Sequence, residues 1–187
     1  VDELVKKGHF PSGPLRGYKS DAWEGGHRVP FVVRWPGKVK PNTISDQLVH
    51  QADLMATFAE ILGAKLPVNA GEDSFSLMPL LSGGTQPVRE SSVSCSLRGV
   101  PSVRKNSWKY LPIAGSGGWT KGGDQSQPVQ LYDLSQDLGE RSNLASKLPE
   151  RVTELKALLE SLITQGRSTL GPKQSNDVKV WRFPLSR

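Results

Sequence analysis

The feature that most restricts the fold of this chain lies between residues 13 and 30, where the sequence reads GPLRGYKSDAWEGGHRVP. Its four glycines and two prolines disfavour a continuous helix or strand, because glycine is costly to order and proline interrupts the hydrogen bonds. The nearly continuous β-branched and aromatic run VPFVVRW follows, which predicts a strand buried on both faces of a sheet. We therefore expect a positively charged loop that a strand anchors to a sheet.

Further elements of the N-terminal half are predicted from spacing and turn residues. Residues 1–13 contain too few apolar positions for a helix that stands alone, and we expect a loop there. WPGK predicts a type II turn with Gly37 as its third residue, and SDQLVHQ alternates like a strand. DLMATFAEILG has helical spacing, with Asp53 as the expected N-cap and Gly63 just past the end, which predicts about two and a half turns.

The C-terminal half is predicted to contain several short strands and one longer helix. SVSCSL, PSVRK, WKYLPIA and VQLYDL are typical of strands, with a hairpin that turns at Asn106. The glycine-rich stretch 115–128 is expected to be a surface loop. Apolar residues at helical spacing predict a helix over about 149–165, followed by an extended tail with one strand-like run, VKVWRF. Gly83 and Gly84 end a loop and place the expected domain boundary near residue 85.

Composition limits the classes of partner. The net charge of +6 is not gathered into a basic run, so we expect no nucleic-acid partner. No apolar stretch approaches the roughly 20 residues that span a bilayer, and we expect no membrane span. The single cysteine, Cys95, excludes a disulfide within the chain and is predicted to be a buried structural thiol. His9, His27 and His50 are too scattered to predict a site.

Several catalytic motifs are absent from the 187 residues. The sequence has no phosphate-binding Walker A loop, no dinucleotide-binding glycine motif, no H-E-x-x-H and no pair of ligands at metal-binding spacing. Taken by themselves, the residues therefore provide no complete catalytic constellation.

The loop nevertheless resembles one known segment. GPLRGYKSDAWEGGHRVPFVVRWPGKV is similar to the lysine-bearing segment of the sulfatase family, which reads approximately G-P-L-R-G-x-K-x-x-x-x-E-G-G-x-R-V-P before a hydrophobic strand and a W-P-G turn. DQLVHQADLMATFAEILG resembles the helix that follows, and GEDSFSLMPLLSGG resembles the family's G-x-D-G-x-S-L-x-P-L-L-x-G loop, with Ser74 where glycine is usual. SVRKNSWKYL and QLYDLSQDLGERSNLA resemble its small C-terminal sheet and closing turn. The resemblance covers roughly residues 12–165.

The resemblance implies an α/β fold of the alkaline-phosphatase and sulfatase type. Residues 1–85 would be a C-terminal slice of its large mixed-sheet domain. Residues 86–187 would be a small α+β subdomain with an antiparallel sheet and a C-terminal helix. A slice without its central sheet would expose apolar strand surface, so an oligomer through that surface is a possible outcome.

The resemblance also implies hydrolysis of sulfate esters by a formylglycine nucleophile, with a calcium ion that polarises the sulfate. The C-x-P-S-R or S-x-P-S-R motif and the metal ligands lie in the N-terminal part of such enzymes, so we expect this chain to hold no metal and to be inactive alone. Lys19 matches the lysine that contacts sulfate and is the predicted catalytic and substrate-binding residue. Arg16, Arg28 and Trp23 are further candidates for substrate binding. Each arginine could instead pair with Glu24 or cap exposed carbonyls, and Trp23 could instead pack beneath the loop.

Two alternatives remain open at this point. The chain could be a non-catalytic module that binds sulfated polysaccharide through its basic loops and through the loop 115–128. It could also belong to a phosphoester or phosphonate hydrolase of the same superfamily. The expected partners are a sulfate ester, either an aryl sulfate or a sulfated glycan, and the N-terminal part of the same protein. The family implies a periplasmic or secreted location.

Overall fold

The computed structural model describes residues 2–175. In chain order, these residues form four helices, four strands and a fifth, longer helix. Their bounds are α1 Asp2–Lys6, α2 Glu24–His27, α3 Asp53–Ile61, α4 Met78–Leu81, β1 Ser91–Cys95, β2 Pro101–Lys105, β3 Trp108–Leu111, β4 Gln130–Asp133 and α5 Pro149–Gln165.

The four strands form one sheet in the order β1-β2-β3-β4, which confirms the predicted small antiparallel sheet. Val103 lies opposite Tyr110, and Tyr110 lies opposite Leu131, so three buried side chains cross the middle of the sheet. Asn106 turns the β2–β3 hairpin with a φ of 54°, a left-handed conformation that asparagine tolerates better than most residues. The hairpin is the one that the sequence predicted.

Both long helices are also confirmed. Helix α5 covers the predicted range, and α3 covers nine residues, or about two and a half turns. The predicted N-cap is shifted by one residue, because Ala52 occupies that position and Asp53 lies inside the first turn. Asp53 still satisfies a backbone group at the helix start, since its Oδ2 accepts a hydrogen bond from the His50 N–H at 2.7 Å.

Two predicted strands of the N-terminal half are wrong for the described residues. Residues 29–35 and the SDQLVHQ stretch form no strand, and Val32 is 89% exposed. Apolar side chains favour a strand only where a neighbouring strand accepts its backbone hydrogen bonds, and none of the described segments pairs with 29–35. The predicted exposure of apolar surface is present, because Val29 and Phe31 are also exposed.

Local predictions near the N-terminus had mixed outcomes. The WPGK turn forms, since the Lys38 N–H donates to the Trp35 carbonyl at 3.1 Å and Gly37 has a φ of 76°. The prediction of a loop over residues 1–13 was wrong in part, because α1 forms there. Helix α2, a single turn within the charged loop, was not predicted.

Cys95 is exposed at the end of β1, so the prediction of a buried thiol was wrong. The strand ends at this residue, and its side chain is therefore not covered by a continuing sheet. Desolvation by surrounding protein atoms nevertheless raises the pKa of the thiol, which disfavours the reactive thiolate.

The described residues divide into two compact units. One contains residues 2–29 and 93–159, which include the charged loop and the sheet, and the other contains 30–92 and 160–175. The domain boundary near residue 85 stays a prediction about the full-length protein. The strand-like run VKVWRF lies outside the described residues. No helix among residues 2–175 is long and apolar enough to cross a bilayer.

Ser74, the departure from the family's glycine, has a defined role in the second unit. Its buried hydroxyl donates to the Ala52 carbonyl and accepts from the Ala56 N–H, both at 2.7 Å. Nearby, Asp53 pairs with the guanidinium of Arg89 at 2.9 Å, and both side chains are buried. The GEDSFSLMPLL segment is therefore fixed to the start of α3 by polar contacts.

Candidate active-site loop

The charged loop, residues 13–28, folds against β3, β4 and the segment 115–120 within the first unit. The hydrogen bonds that fix its backbone include those from the Gly25 N–H to the Arg16 carbonyl at 2.8 Å and from the Ala22 N–H to the Ser116 carbonyl at 2.7 Å. Gly26 is required by close packing, because a Cβ there would lie 2.1 Å from the Asp21 carbonyl oxygen. The loop therefore has one dense conformation in spite of its glycine content.

Asp21 is buried at the centre of this loop. Its Oδ2 accepts a hydrogen bond from the Tyr18 N–H at 2.8 Å, and its Oδ1 accepts from the Thr120 N–H at 3.2 Å and from the Ser20 hydroxyl at 3.3 Å. One carboxylate thus binds the Tyr18 backbone before Lys19 and the Ser20 hydroxyl after it, and joins both to the segment 115–120.

Lys19 is exposed, unlike its neighbours in the loop. Among residues 2–175, the structure gives its ammonium no ion pair. The positive charge therefore stands at the surface of a tightly bonded loop, where an anion can approach it.

Trp23 lies beneath the loop and is 1% exposed, so its ring has no free surface to offer a substrate. The indole N–H donates to Gln130 Oε1 at 2.8 Å, and the Arg16 guanidinium lies over the ring at 3.8 Å from its centroid. The sequence left two roles open for Trp23, and these contacts correspond to packing beneath the loop.

Arg16 is bonded in the same buried layer. Its Nη1 donates to the Tyr132 hydroxyl at 3.0 Å and to the Glu140 carbonyl at 2.7 Å. Burial raises the pKa of Tyr132 to about 12, so its hydroxyl keeps its proton and donates to Gln130 Oε1 at 2.7 Å. Arg16 therefore ties the loop to β4, and its contact with substrate stays a prediction.

A buried ion cluster lies beside α2. The Lys109 ammonium, on β3, is 2.8 Å from a carboxylate oxygen of Glu140 and 3.0 Å from one of Glu24. All three side chains are buried. Glu140 Oε2 also accepts a hydrogen bond from the Glu24 N–H at 2.6 Å. A buried charge without a partner costs several kcal/mol. We therefore expect the contacts among these three residues to form together or not at all.

The two carboxylates differ in acidity. Burial raises the pKa of Glu24, but Lys109, His27 and Arg104 outweigh that effect and bring the pKa below its ordinary value. Burial raises the pKa of Glu140 above its ordinary value, and the nearby charge of Glu24 adds to the increase, although Lys109 opposes it. Glu24 is therefore the carboxylate that most firmly carries the negative charge.

His27 and Arg28 surround the same cluster. His27 Nε2 lies 3.0 Å from the Lys109 ammonium and 3.5 Å from a carboxylate oxygen of Glu24. Arg28 pairs with Glu24 Oε2 at 3.1 Å but remains partly exposed. The pairing with Glu24 that the sequence left open is thus present for Arg28, and its contact with substrate stays a prediction.

The described residues do not fit the metal or the nucleophile that the sulfatase resemblance implies. Within residues 2–175, no three side chains of His, Cys, Asp or Glu come together as a metal site. After Cys95 and Ser96 come Leu97, Arg98 and Gly99, in place of the Pro-Ser-Arg of the pattern. No chemical step can therefore be assigned to either group from this part of the chain.

Sequence reasoning did not find Lys109, Glu140 or Gln130. A signal for Lys109 was present, because a lysine inside the apolar strand WKYL must either leave the core or meet an acidic partner there. No signal paired it with Glu24, which the sequence marked only as a partner for the arginines, or with Glu140, since the two are 85 and 31 residues away along the chain. Only the folded structure brings them together.

The comparisons with known proteins identify relatives of this chain. The sequence model of the Sulfatase family matches residues 7–64. The chain is 42% identical over 163 residues to an N-acetylgalactosamine-6-O-sulfatase of Bacteroides thetaiotaomicron, covering 84% of this chain and 32% of that protein. It is 35% identical over 199 residues to human arylsulfatase A, covering 92% of this chain and 39% of that protein.

Solved structures show the same relationship. A Bacteroides thetaiotaomicron sulfatase from work on the metabolism of multiple glycosaminoglycans superposes with a TM-score of 0.72 at 40% identity, over 84% of this chain and 33% of that one. The structure of Ps i-CgsB superposes with a TM-score of 0.65 at 25% identity, over the same shares of the two chains. The chain thus spans about a third of the length of these relatives. Its fold is that of the alkaline-phosphatase-like sulfatases, and the chain belongs to the sulfatase family.

Proposed function

We propose that the full-length protein containing this chain hydrolyses sulfate esters and that Lys19 contacts the sulfate group. The observation that carries the proposal is the contrast between Lys19 and the other charged residues of the loop. Arg16, Asp21, Glu24 and Arg28 all bond to protein groups, whereas Lys19 is exposed and has no ion-pair partner among the described residues.

The chemistry of sulfate transfer suits such a lysine. Cleavage of the S–O bond moves negative charge onto the bridging and peripheral oxygens. An ammonium with three donors stabilises that charge without demanding a single orientation. The hydrogen-bonded loop supplies the preorganisation, because the backbone beside Lys19 does not have to be ordered when substrate arrives.

The remaining candidates act as positioning residues in this proposal. Arg16 and Trp23 support the loop from below. Near the C-terminal end of the loop, Arg28 and Lys109 neutralise the charge of Glu24. We place Arg28 nearest to a role with substrate, since its side chain is the most exposed of these four.

The family implies calcium and formylglycine in full-length sulfatases, where they supply the electrophilic and nucleophilic chemistry. In the proposed enzyme, both come from outside the described residues. The proposed substrate is a sulfated sugar, on the support of the similarity to an N-acetylgalactosamine-6-O-sulfatase. A periplasmic or secreted location belongs to the same proposal, because sulfated glycans are extracellular polymers.

The test is a comparison of esters with the full-length protein. We expect sulfate release from N-acetylgalactosamine 6-O-sulfate and from 4-nitrophenyl sulfate, and slower release of phosphate from 4-nitrophenyl phosphate. Lys19→Ala should lower the rate of sulfate release by about 10²- to 10³-fold, by analogy with the loss of one donor to a developing oxyanion. Lys147→Ala, at another exposed lysine, is the matched control and should leave the rate unchanged.

Two outcomes would contradict the proposal. A preference for the phosphate ester would favour a phosphoester hydrolase of the same fold. Full activity of Lys19→Ala would remove Lys19 from the site. The isolated 187-residue chain should release no sulfate, and clear turnover by it would show that nucleophile and metal lie within this chain.

A further inference from the structure

Two apolar side chains stand exposed beside Lys19, on loops that the proposed function has not used. Trp119 is 68% exposed in the segment 115–120, and Leu97 is 60% exposed in the turn after β1. Both residues are joined through their backbones to Ser20, the residue that follows Lys19. The Leu97 N–H donates to the Ser20 carbonyl at 2.8 Å, and the Trp119 N–H donates to the Ser20 hydroxyl at 3.1 Å.

Ser20 itself has an unusual backbone conformation. Its φ is 99°, a value that residues with a side chain rarely adopt and that persists only where surrounding contacts impose it. The two N–H groups of Leu97 and Trp119 provide such contacts. Each loop therefore helps to set the backbone beside Lys19 and at the same time presents an apolar group there.

The two loops are also bonded to each other. The buried Ser96 hydroxyl donates to the Gly117 carbonyl at 2.7 Å. The buried Ser116 hydroxyl donates to the Thr120 carbonyl at 2.7 Å and accepts from the Gly118 N–H at 3.0 Å, which closes a tight turn around Trp119. These buried hydrogen bonds restrict the backbone of the loop that carries Trp119.

Gly118 shows how close the contact with the charged loop is. A Cβ at this position would lie 2.4 Å from both the Ser20 carbonyl oxygen and Asp21 Oδ1, so only glycine lets the backbones meet. The backbone of the next residue, Trp119, is thereby held against Ser20, the residue that follows Lys19. Contiguous exposed apolar groups mark binding surfaces more often than single scattered ones do.

We propose that Trp119 and Leu97 form a subsite for the ring of the sugar that carries the sulfate ester. A pyranose has an apolar face of C–H groups that an indole can cover, while its sulfate reaches the ammonium of Lys19. Leu97 extends the apolar surface on the other side of Ser20. This subsite deepens the proposed function and rests on it, because it identifies Trp119 and Leu97 as specificity-determining residues for the same reaction.

The experiment uses the full-length protein with N-acetylgalactosamine 6-O-sulfate as substrate and inorganic sulfate as competitive inhibitor. Trp119→Ala should raise KM for the sugar sulfate about tenfold, the size expected for the loss of one aromatic contact, and should change kcat little. The Ki of inorganic sulfate should stay within twofold of wild type, since sulfate alone does not reach the subsite. Trp119→Phe, which keeps an aromatic face, should restore most of the affinity.

Leu97→Ala should raise KM about threefold, and Leu170→Ala, at a fully exposed leucine of the other unit, should leave it unchanged. A KM for Trp119→Ala within twofold of wild type would overturn the subsite. An equal rise in KM and in the sulfate Ki would also overturn it, because Trp119 would then act only through Ser20 and Lys19.

Failure of the proposed function has a different signature. If the wild-type protein binds the sugar sulfate in calorimetry but releases no sulfate, hydrolysis is ruled out and the calorimetric Kd of Trp119→Ala still tests the subsite. If the wild-type protein neither binds nor hydrolyses this sugar sulfate, the assignment of the subsite to a sulfated pyranose is wrong.

Discussion

Residues 13–28 and 29–35 are adjacent in the sequence and both match the same family segment, yet only the first has a complete set of contacts in this structure. Residues 13–28 have little periodic order, but Lys109, Glu140, Gln130 and Ser116 bond to them. Residues 29–35 have the stronger hydrophobic pattern, but most of them, including Val29, Phe31 and Val32, are exposed, and they have no strand partner among the described residues. A segment thus takes its final form where its bonding partners are present, whatever its own propensity.

The variant with the largest expected effect on stability removes the cation of the buried cluster. Lys109→Met would leave the carboxylates of Glu24 and Glu140 buried without their common partner. We expect the protein to lose about 3–5 kcal/mol of its free energy of unfolding, the usual cost of breaking a buried ion pair from one side. Urea denaturation of the full-length protein measures the change.

The matched control for that variant is Lys105→Met, which removes a half-exposed lysine from the same hairpin and its pair with Glu154. It should cost no more than about 1 kcal/mol, because surface ion pairs contribute little. Equal losses for the two lysines would show that the buried cluster does not hold the loop.

A second test uses the pH dependence of the contribution that Glu24 makes to the free energy of unfolding. Its folded-state pKa is below the ordinary value of 4.5, so its stabilising contribution is fully present above pH 4.5 and is lost as the pH falls through the folded-state pKa. Glu24→Gln should therefore cost about 1–3 kcal/mol at pH 7 and progressively less as the solution is acidified below pH 4.5. Urea midpoints of both proteins between pH 3 and pH 7 give the comparison, and a gap that widens toward acid would reverse the sign we expect.

The smallest effect is expected in the exposed segment. Val32→Thr replaces a side chain that is 89% exposed, and in the isolated chain it should change the free energy of unfolding by less than about 0.5 kcal/mol. The same substitution in the full-length protein should cost more if the remaining sheet covers this position. An equal, small effect in both proteins would mean that residues 29–35 are exposed in the full-length protein too.

Much of the small subdomain could be predicted from the sequence, because its elements are local. The hairpin at Asn106 and helix α5 depend on turn residues and spacing within a few residues of each other. Residues 29–35 could not be predicted in the same way, because a buried strand depends on neighbours that no local pattern reveals.

For the candidate site too, residues within a local motif were predicted, and residues that only the fold brings together were not. Lys19 was predicted from the motif around it, and its role stays a prediction; the alternative of a supporting role for Trp23 was stated but not decided. The supports of the loop, Lys109 and Glu140, were missed, since a buried ion cluster joins residues that are far apart in the sequence. Trp119 lies in a stretch that was predicted to be a surface loop and, in one alternative, to contact sulfated polysaccharide; only the structure shows its backbone bond to Ser20, next to Lys19.

Amide hydrogen exchange of the 187-residue chain tests the central claim most directly, because it reports the two adjacent segments in one experiment. The amides of Ala22, Glu24 and Gly25 donate to protein acceptors and should exchange slowly, together with those of β3. The amides of Phe31, Val32 and Val33 should exchange at nearly the rate of an unstructured peptide. Equal protection of both segments, or protection of residues 31–33 alone, would contradict the account.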